Sequence, residues 1–123
     1  MNAPFAYVCS PYAEAPQANT IKAQQYSRRL YEMGYIPIAP HLLFPQFMND
    51  NKPEERRDGL EMAQELLRRC RVVVMCGDEI SDGMMAELGL AKRLGIVTTT
   101  LDGLQKVREC ERKKPKENNA EEW

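Results

Sequence analysis

Glu87 stands where a carboxylate has no ordinary reason to be. In the stretch Asp82–Leu94, a turn of about 100° per residue places Met84, Leu88, Ala91 and Leu94 on one apolar stripe, with Asp82, Lys92 and Arg93 opposite. Glu87 falls between Ala91 and Leu94, on the stripe. A carboxylate there is ion-paired at the edge of the core, or it is used in a cleft. The same helix opens with Ser81-Asp82-Gly83. A hydroxyl, free backbone amides, the positive end of a helix dipole and a glycine that permits close approach together suit a phosphate group. Ser or Asp at that position also serves simply as an N-cap, so both readings stand. Glu87 lies six residues beyond Ser81, about 8–9 Å at helical rise.

The elements around this helix define how it is held. Val72-Val73-Val74-Met75 is a continuous apolar run, as in a parallel strand covered on both faces. Gly95 closes the helix, and the β-branched run Ile96–Thr100 resumes the sheet. Upstream, Phe5–Cys9 reads as a first strand ended by Ser10-Pro11. Asn19 or Thr20 is the expected cap of a helix to about Met33, with Ile21, Tyr26, Leu30 and Met33 inward and Gly34 stopping it. Tyr35–Ile38 follows as a second strand, at an edge because Pro37 has no N–H for a ladder. Residues 40–52 lack a clean period and read as a loop, either a lid or an apolar cap on the sheet edge or a dimer contact. Asn51 is the expected cap of the next helix, with Pro53 at its first turn and Arg68, Arg69 and Cys70 at its end. A short helix after Asp102 is expected to reach Cys110, and 111–123 reads as a charged, disordered tail in which Trp123 is available for capture by a dimer.

The order β-α-β-loop-α-β-α-β-α implies right-handed crossovers and an α/β fold: a three-layer, doubly wound parallel sheet of the Rossmann or flavodoxin-like kind, with four to five strands. Residues 1–110 are expected to form one domain. In a strand order 2-1-3-4 the loops after Cys9 and Met75 meet at the switch point where such sheets bind ligands. Polar residues there, Ser10 included, are site candidates by topology.

Composition narrows the partners. A net charge of −1 gives no broad electrostatic case for nucleic acid. No apolar run reaches membrane-spanning length and no signal peptide opens the chain, so a cytoplasmic protein is expected. The four cysteines, Cys9, Cys70, Cys76 and Cys110, form no CxxC pair and read as reduced thiols, with no metal site and no cofactor expected. Asp78, Glu79 and Asp82 read as solvated carboxylates, and Arg56 and Arg57 as exposed helix arginines.

Ser81-Asp82-Gly83-Met84-Met85-Ala86-Glu87-Leu88-Gly89 after a VVV strand resembles the 2′-deoxynucleoside 5′-phosphate N-hydrolases, which belong with the nucleoside 2-deoxyribosyltransferases. YVCSPY, PIAPHLLFPQF and GDEISDGMMAE together resemble small bacterial and phage domains related to those transferases, over about residues 5–100. The resemblance implies that Glu87 is a nucleophile toward C1′ and that Tyr7 positions it. It implies that Ser81 and Gly83 hold a 5′-phosphate, that His41 matches a histidine of the site, and that relatives complete their pockets across a homodimer. The implied activity is hydrolysis of an N-glycosidic bond, or base transfer, on a nucleotide or nucleoside. The alternative is a non-catalytic module that binds a nucleotide in the same pocket. The sequence departs from the family pattern at three places: Ala63 stands about where the family has an aspartate, with Asp58, Glu61 and Glu65 nearby; Ser10-Pro11-Tyr12 replaces the glycine-rich turn after the first strand; and Ala86 replaces an aromatic residue.

Overall fold

In a computed structural model, which describes residues 2–112, the elements are β1 (Phe5–Cys9), α1 (Pro16–Glu32), β2 (Ile36–Ile38), α2 (Pro40–Leu43), α3 (Pro53–Arg68), β3 (Val72–Met75), α4 (Asp82–Leu94), β4 (Val97–Thr100) and α5 (Leu101–Arg112). The four strands pair in parallel in the order β2-β1-β3-β4. Pro37 sits in the edge strand, as its missing N–H requires.

Alternation along the strands divides the core in two. Ala6, Val8, Val72 and Val74 face Leu30 and Met33 of the α1 side and Leu101 of α5. Tyr7, Cys9 and Val73 face Leu67 and Cys70 at the end of α3 and Met84, Leu90 and Ala91 of α4. The sheet therefore lies between two helical layers, and the doubly wound α/β reading holds. Cys9 pairs with Met75 in register, and the Cys76 N–H donates to the Cys9 carbonyl at 2.9 Å. This bond fixes the loops after β1 and β3 side by side.

Gly77 follows with φ of 91°, and a Cβ there would lie 3.0 Å from the Tyr26 hydroxyl, so only glycine turns the chain here without strain. Gly95 ends α4 in the left-handed conformation at φ 70°.

Several local expectations need correction. α1 starts at Pro16 with Ala15 as N-cap and no side-chain cap, because a proline with preset φ opens the helix before Asn19 or Thr20 is reached. Asn19 instead turns inward and donates from Nδ2 to the Tyr12 carbonyl at 3.2 Å, while Ile21 is exposed and Ala23 is buried. Lys52, not Asn51, precedes α3, although Pro53 begins it as expected. Residues 40–52 contain α2 and a 3-10 turn, Phe44–Gln46, each opened by a proline. On α4 Leu90 is buried, while Leu94, the last residue of the helix, is exposed beyond the buried Leu90 and Ala91. α5 extends to Arg112, and the rest of the expected tail, Trp123 included, lies outside the described residues.

Candidate active site

The two sides of the β1–β3 junction carry the candidate residues. α4 begins at Ser81, whose Oγ accepts from the Met84 N–H at 3.2 Å, while Met84 Sδ lies 3.5 Å from the Ser81 N–H. Ser81 is thus the helix cap, and its hydroxyl proton is left available to an acceptor outside the helix. Asp82 and Gly83 are exposed in the first turn. Met84 inserts into the core and fixes the rotation of α4, which aims Glu87 one turn later at β1.

Glu87 meets two donors there. The Tyr7 hydroxyl donates to Glu87 Oε2, and Cys9 Sγ lies 3.8 Å from Oε1. Burial pushes the Glu87 carboxyl up to about 7, against the opposing effect of these two hydrogen bonds. Burial, and then the neighbouring carboxylate, push the Tyr7 phenol far above its ordinary value. The same two causes raise the Cys9 thiol. Both groups therefore keep their protons and remain donors whichever state Glu87 adopts. A desolvated carboxyl poised near neutrality and held by two permanent donors suits nucleophilic or acid–base chemistry.

A second polar group lies at the end of β1. Ser10 is 2% exposed and its Oγ has no partner among the described residues. His41, brought in by α2, places Nε2 3.1 Å from the Ser10 carbonyl and stacks on Tyr12 with ring centroids 4.9 Å apart. Burial lowers the His41 pKa, opposed by that carbonyl and by Asp50. A carbonyl only accepts, so a neutral His41 carries its proton on Nε2 and offers Nδ1 as an acceptor.

The structure thus pairs Tyr7 with Glu87 and His41 with Ser10, and puts Ser81, Asp82 and Gly83 together at the start of α4. Other acidic residues stay apart. Asp58, Glu61 and Glu65 are on α3 and line a surface groove of about 570 Å³ whose lining includes neither Tyr7 nor Glu87. Arg56 reaches Asp50 at 4.0 Å in an exposed pair. Among the described residues no cluster of three His, Cys, Asp or Glu is arranged to hold a metal, and no helix is long and apolar enough to cross a membrane.

From its sequence context Cys9 reads as no more than a core thiol. The period-2 rule that places Tyr7 toward α4 places Cys9 there as well, so a signal for its position is present in the strand.

Comparison with known proteins bears on the fold. A solved 2-deoxyribosyltransferase from the psychrotolerant bacterium Bacillus psychrosaccharolyticus is similar with a TM-score of 0.61 and 22% identity, over 78% of this chain and 70% of that one. A 2-desoxiribosyltransferase from Leishmania mexicana gives a TM-score of 0.54 and 19% identity, over 79% of this chain; the match spans 63% of the Leishmania chain. At these identities the likeness is one of fold. No curated protein matches the chain. A protein-family model described as a domain of unknown function, DUF7768, matches residues 4–101, and the chain belongs to that family.

Proposed function

We propose that the protein cleaves the N-glycosidic bond of a nucleoside 5′-monophosphate or deoxynucleoside, with Glu87 as nucleophile. The observation that carries this reading is the half-buried Glu87 carboxyl bonded to the buried Tyr7 hydroxyl beside the β1–β3 junction. The deoxyribosyltransferase fold of the two solved structures supports it. A Glu87 carboxylate oxygen attacks C1′ as the bond to the base nitrogen breaks, and the electron pair leaves with the base, which takes up a proton. Water, or a second base, then attacks C1′ of the glycosyl ester and restores the carboxylate.

Ser81, with the amides of Asp82 and Gly83, holds the 5′-phosphate. His41 offers its Nδ1 acceptor to the nucleoside, oriented by the carbonyl of the buried Ser10 behind it. A homodimer belongs to the same reading, with Leu43 and Phe47 as exposed apolar contacts near the site loops. So does a cytoplasmic setting, which suits the four free thiols.

The test is release of free base from a panel of ribo- and deoxynucleosides and their 5′-monophosphates, by wild type and Glu87→Gln. Release confined to wild type is expected. Release by both proteins removes Glu87 from the chemistry.

One observation favours the second reading, a binding module. α3 carries Ala63, and its carboxylates Asp58, Glu61 and Glu65 are exposed, so none of these three is a desolvated acid ready to protonate a leaving base. Absence of release from every member, with thermal stabilisation by one of them, would establish that reading instead.

Ser81→Asp isolates the phosphate contact. Aspartate retains an N-cap oxygen, so stability should stay within about 0.5 kcal/mol. Its charge opposes a phosphate, so KM for the 5′-monophosphate should rise at least ~10-fold, with the unphosphorylated nucleoside unaffected. An equal change for both substrates would dissociate Ser81 from phosphate binding.

A further inference from the structure

Tyr7 and Cys9 are two residues apart on β1, so both point at α4. Their donors divide the Glu87 carboxylate between them: the phenol on Oε2 and the thiol beside Oε1. Cys9 is 0% exposed, and Sγ also lies 3.9 Å from the Met84 carbonyl, one turn before Glu87. Both acceptors within its reach therefore belong to α4. Cys76 is no disulfide partner for it, since it packs on the opposite face of the sheet.

We propose that Cys9 is a second positioning residue for Glu87, holding Oε1 through a weak thiol contact while Tyr7 fixes Oε2. The proposal rests on the reading of Glu87 as nucleophile and assigns Oε1 as the attacking oxygen. Tyr7 engages Oε2 with a strong, charge-assisted donor. Oε1 has only a soft thiol, enough to orient it and too weak to withhold it from C1′. An apolar residue at this position would leave the carboxylate with one donor.

The ionisable groups facing Glu87 are Tyr7 and Cys9, both on β1. Behind them, Cys70 lies in the same cluster as Tyr7, and Cys76 lies near Cys9 on the other face of the sheet. Burial holds these two thiols neutral, pushed up to about 11 and about 12. Cys70 thus offers a control: a buried thiol of the same cluster that bonds instead to the Leu66 carbonyl at 3.3 Å.

The test is a direct titration of the Glu87 carboxyl by carbon-13 NMR of glutamate-labelled protein without substrate, the resonance being assigned by its loss in Glu87→Gln. Cys9→Ala should raise the midpoint by about 0.5–1 unit, or ~3–10-fold less carboxylate at a pH below both midpoints. Cys9→Ser, which keeps a donor, should recover part of that shift, and Cys70→Ala should leave the midpoint where it is. If Cys9→Ala does not unfold cooperatively, Cys9→Val fills the space without a donor and takes its place. A Cys9→Ala midpoint within about 0.2 unit of wild type, or an equal shift in Cys70→Ala, would overturn the proposal, because one kcal/mol of lost contact corresponds to ~0.7 unit. A shift confined to the Cys9 variants, in a protein that releases no base from any substrate, would support the positioning contact and overturn only the glycosidase reading.

Discussion

Glu87→Gln is expected to abolish base release and, at pH 8, to make the protein more stable. Loss of the nucleophile should reduce turnover at least ~1,000-fold, because a neutral amide oxygen does not form the glycosyl ester. The stability gain follows from burial. The Glu87 pKa rises from 4.5 to about 7 on folding, so the native state binds this proton more tightly than the unfolded chain. Below pH 4.5 both states are protonated and the residue contributes nothing through ionisation. Between 4.5 and about 7 the unfolded chain releases its proton while the native protein retains it, and stability falls as pH rises. Above about 7 the native state carries the whole cost of a desolvated carboxylate, about 3 kcal/mol at 1.36 kcal/mol per unit. Glutamine keeps the shape and still accepts from the Tyr7 hydroxyl, so it removes that cost and little else. Thermal unfolding at pH 4, 6 and 8 should show near-equal midpoints at pH 4 and a variant ahead by on the order of 10 °C at pH 8. A variant that is less stable at pH 8 would mean that the fold, and not a reaction, uses the charge.

That destabilising carboxylate is also what makes the site legible in the amino-acid sequence. A single carboxylate in phase with the apolar stripe of α4 marks Glu87, and the run Val72–Met75 and the glycine stop at Gly95 fix the preceding strand and the end of the helix that carries it. Strand order follows from the alternation of helices and strands, because crossover handedness leaves few arrangements. The start of α1 is not legible: Pro16 and Asn19 are both good initiators, and only the packing of Asn19 against the Tyr12 carbonyl decides between them. Nor are α2 and the turn after it, whose 4- and 3-residue lengths are too short for a periodic signal. The pairing of His41 with Ser10 depends on that short helix, so the sequence points to both residues without bringing them together. The apolar setting of Cys9 explains a cysteine without function, and only the carboxylate beside it changes that.

Tyr7→Phe should separate ionisation from orientation at Glu87. The ring of Tyr7 is 1% exposed, and phenylalanine keeps its packing while deleting the donor on Oε2; alanine would add a cavity cost of ~3–5 kcal/mol and obscure the result. Without the phenol, one of the two effects that lower the Glu87 pKa disappears, so it moves further above about 7. A charged hydrogen bond is worth ~1.5–3 kcal/mol, which corresponds to a rise of about 1–2 units. At pH 7 the variant therefore holds ~5–50-fold less carboxylate, and with the lost orientation kcat/KM should fall by ~10–100-fold. Raising the pH to 9 restores the carboxylate and with it that part of the loss. What remains at pH 9 measures orientation, the share of Tyr7 that holds Oε2 while Oε1 attacks. Stability should separate in the same direction. With Glu87 protonated at pH 4 the variant should lose ~1 kcal/mol or less, and above pH 7 the loss should grow as the native carboxylate ionises with a single donor. A loss of activity equal at pH 6 and pH 9 would assign Tyr7 to geometry alone, and an unchanged kcat/KM across the range would remove the Tyr7–Glu87 pair from the mechanism.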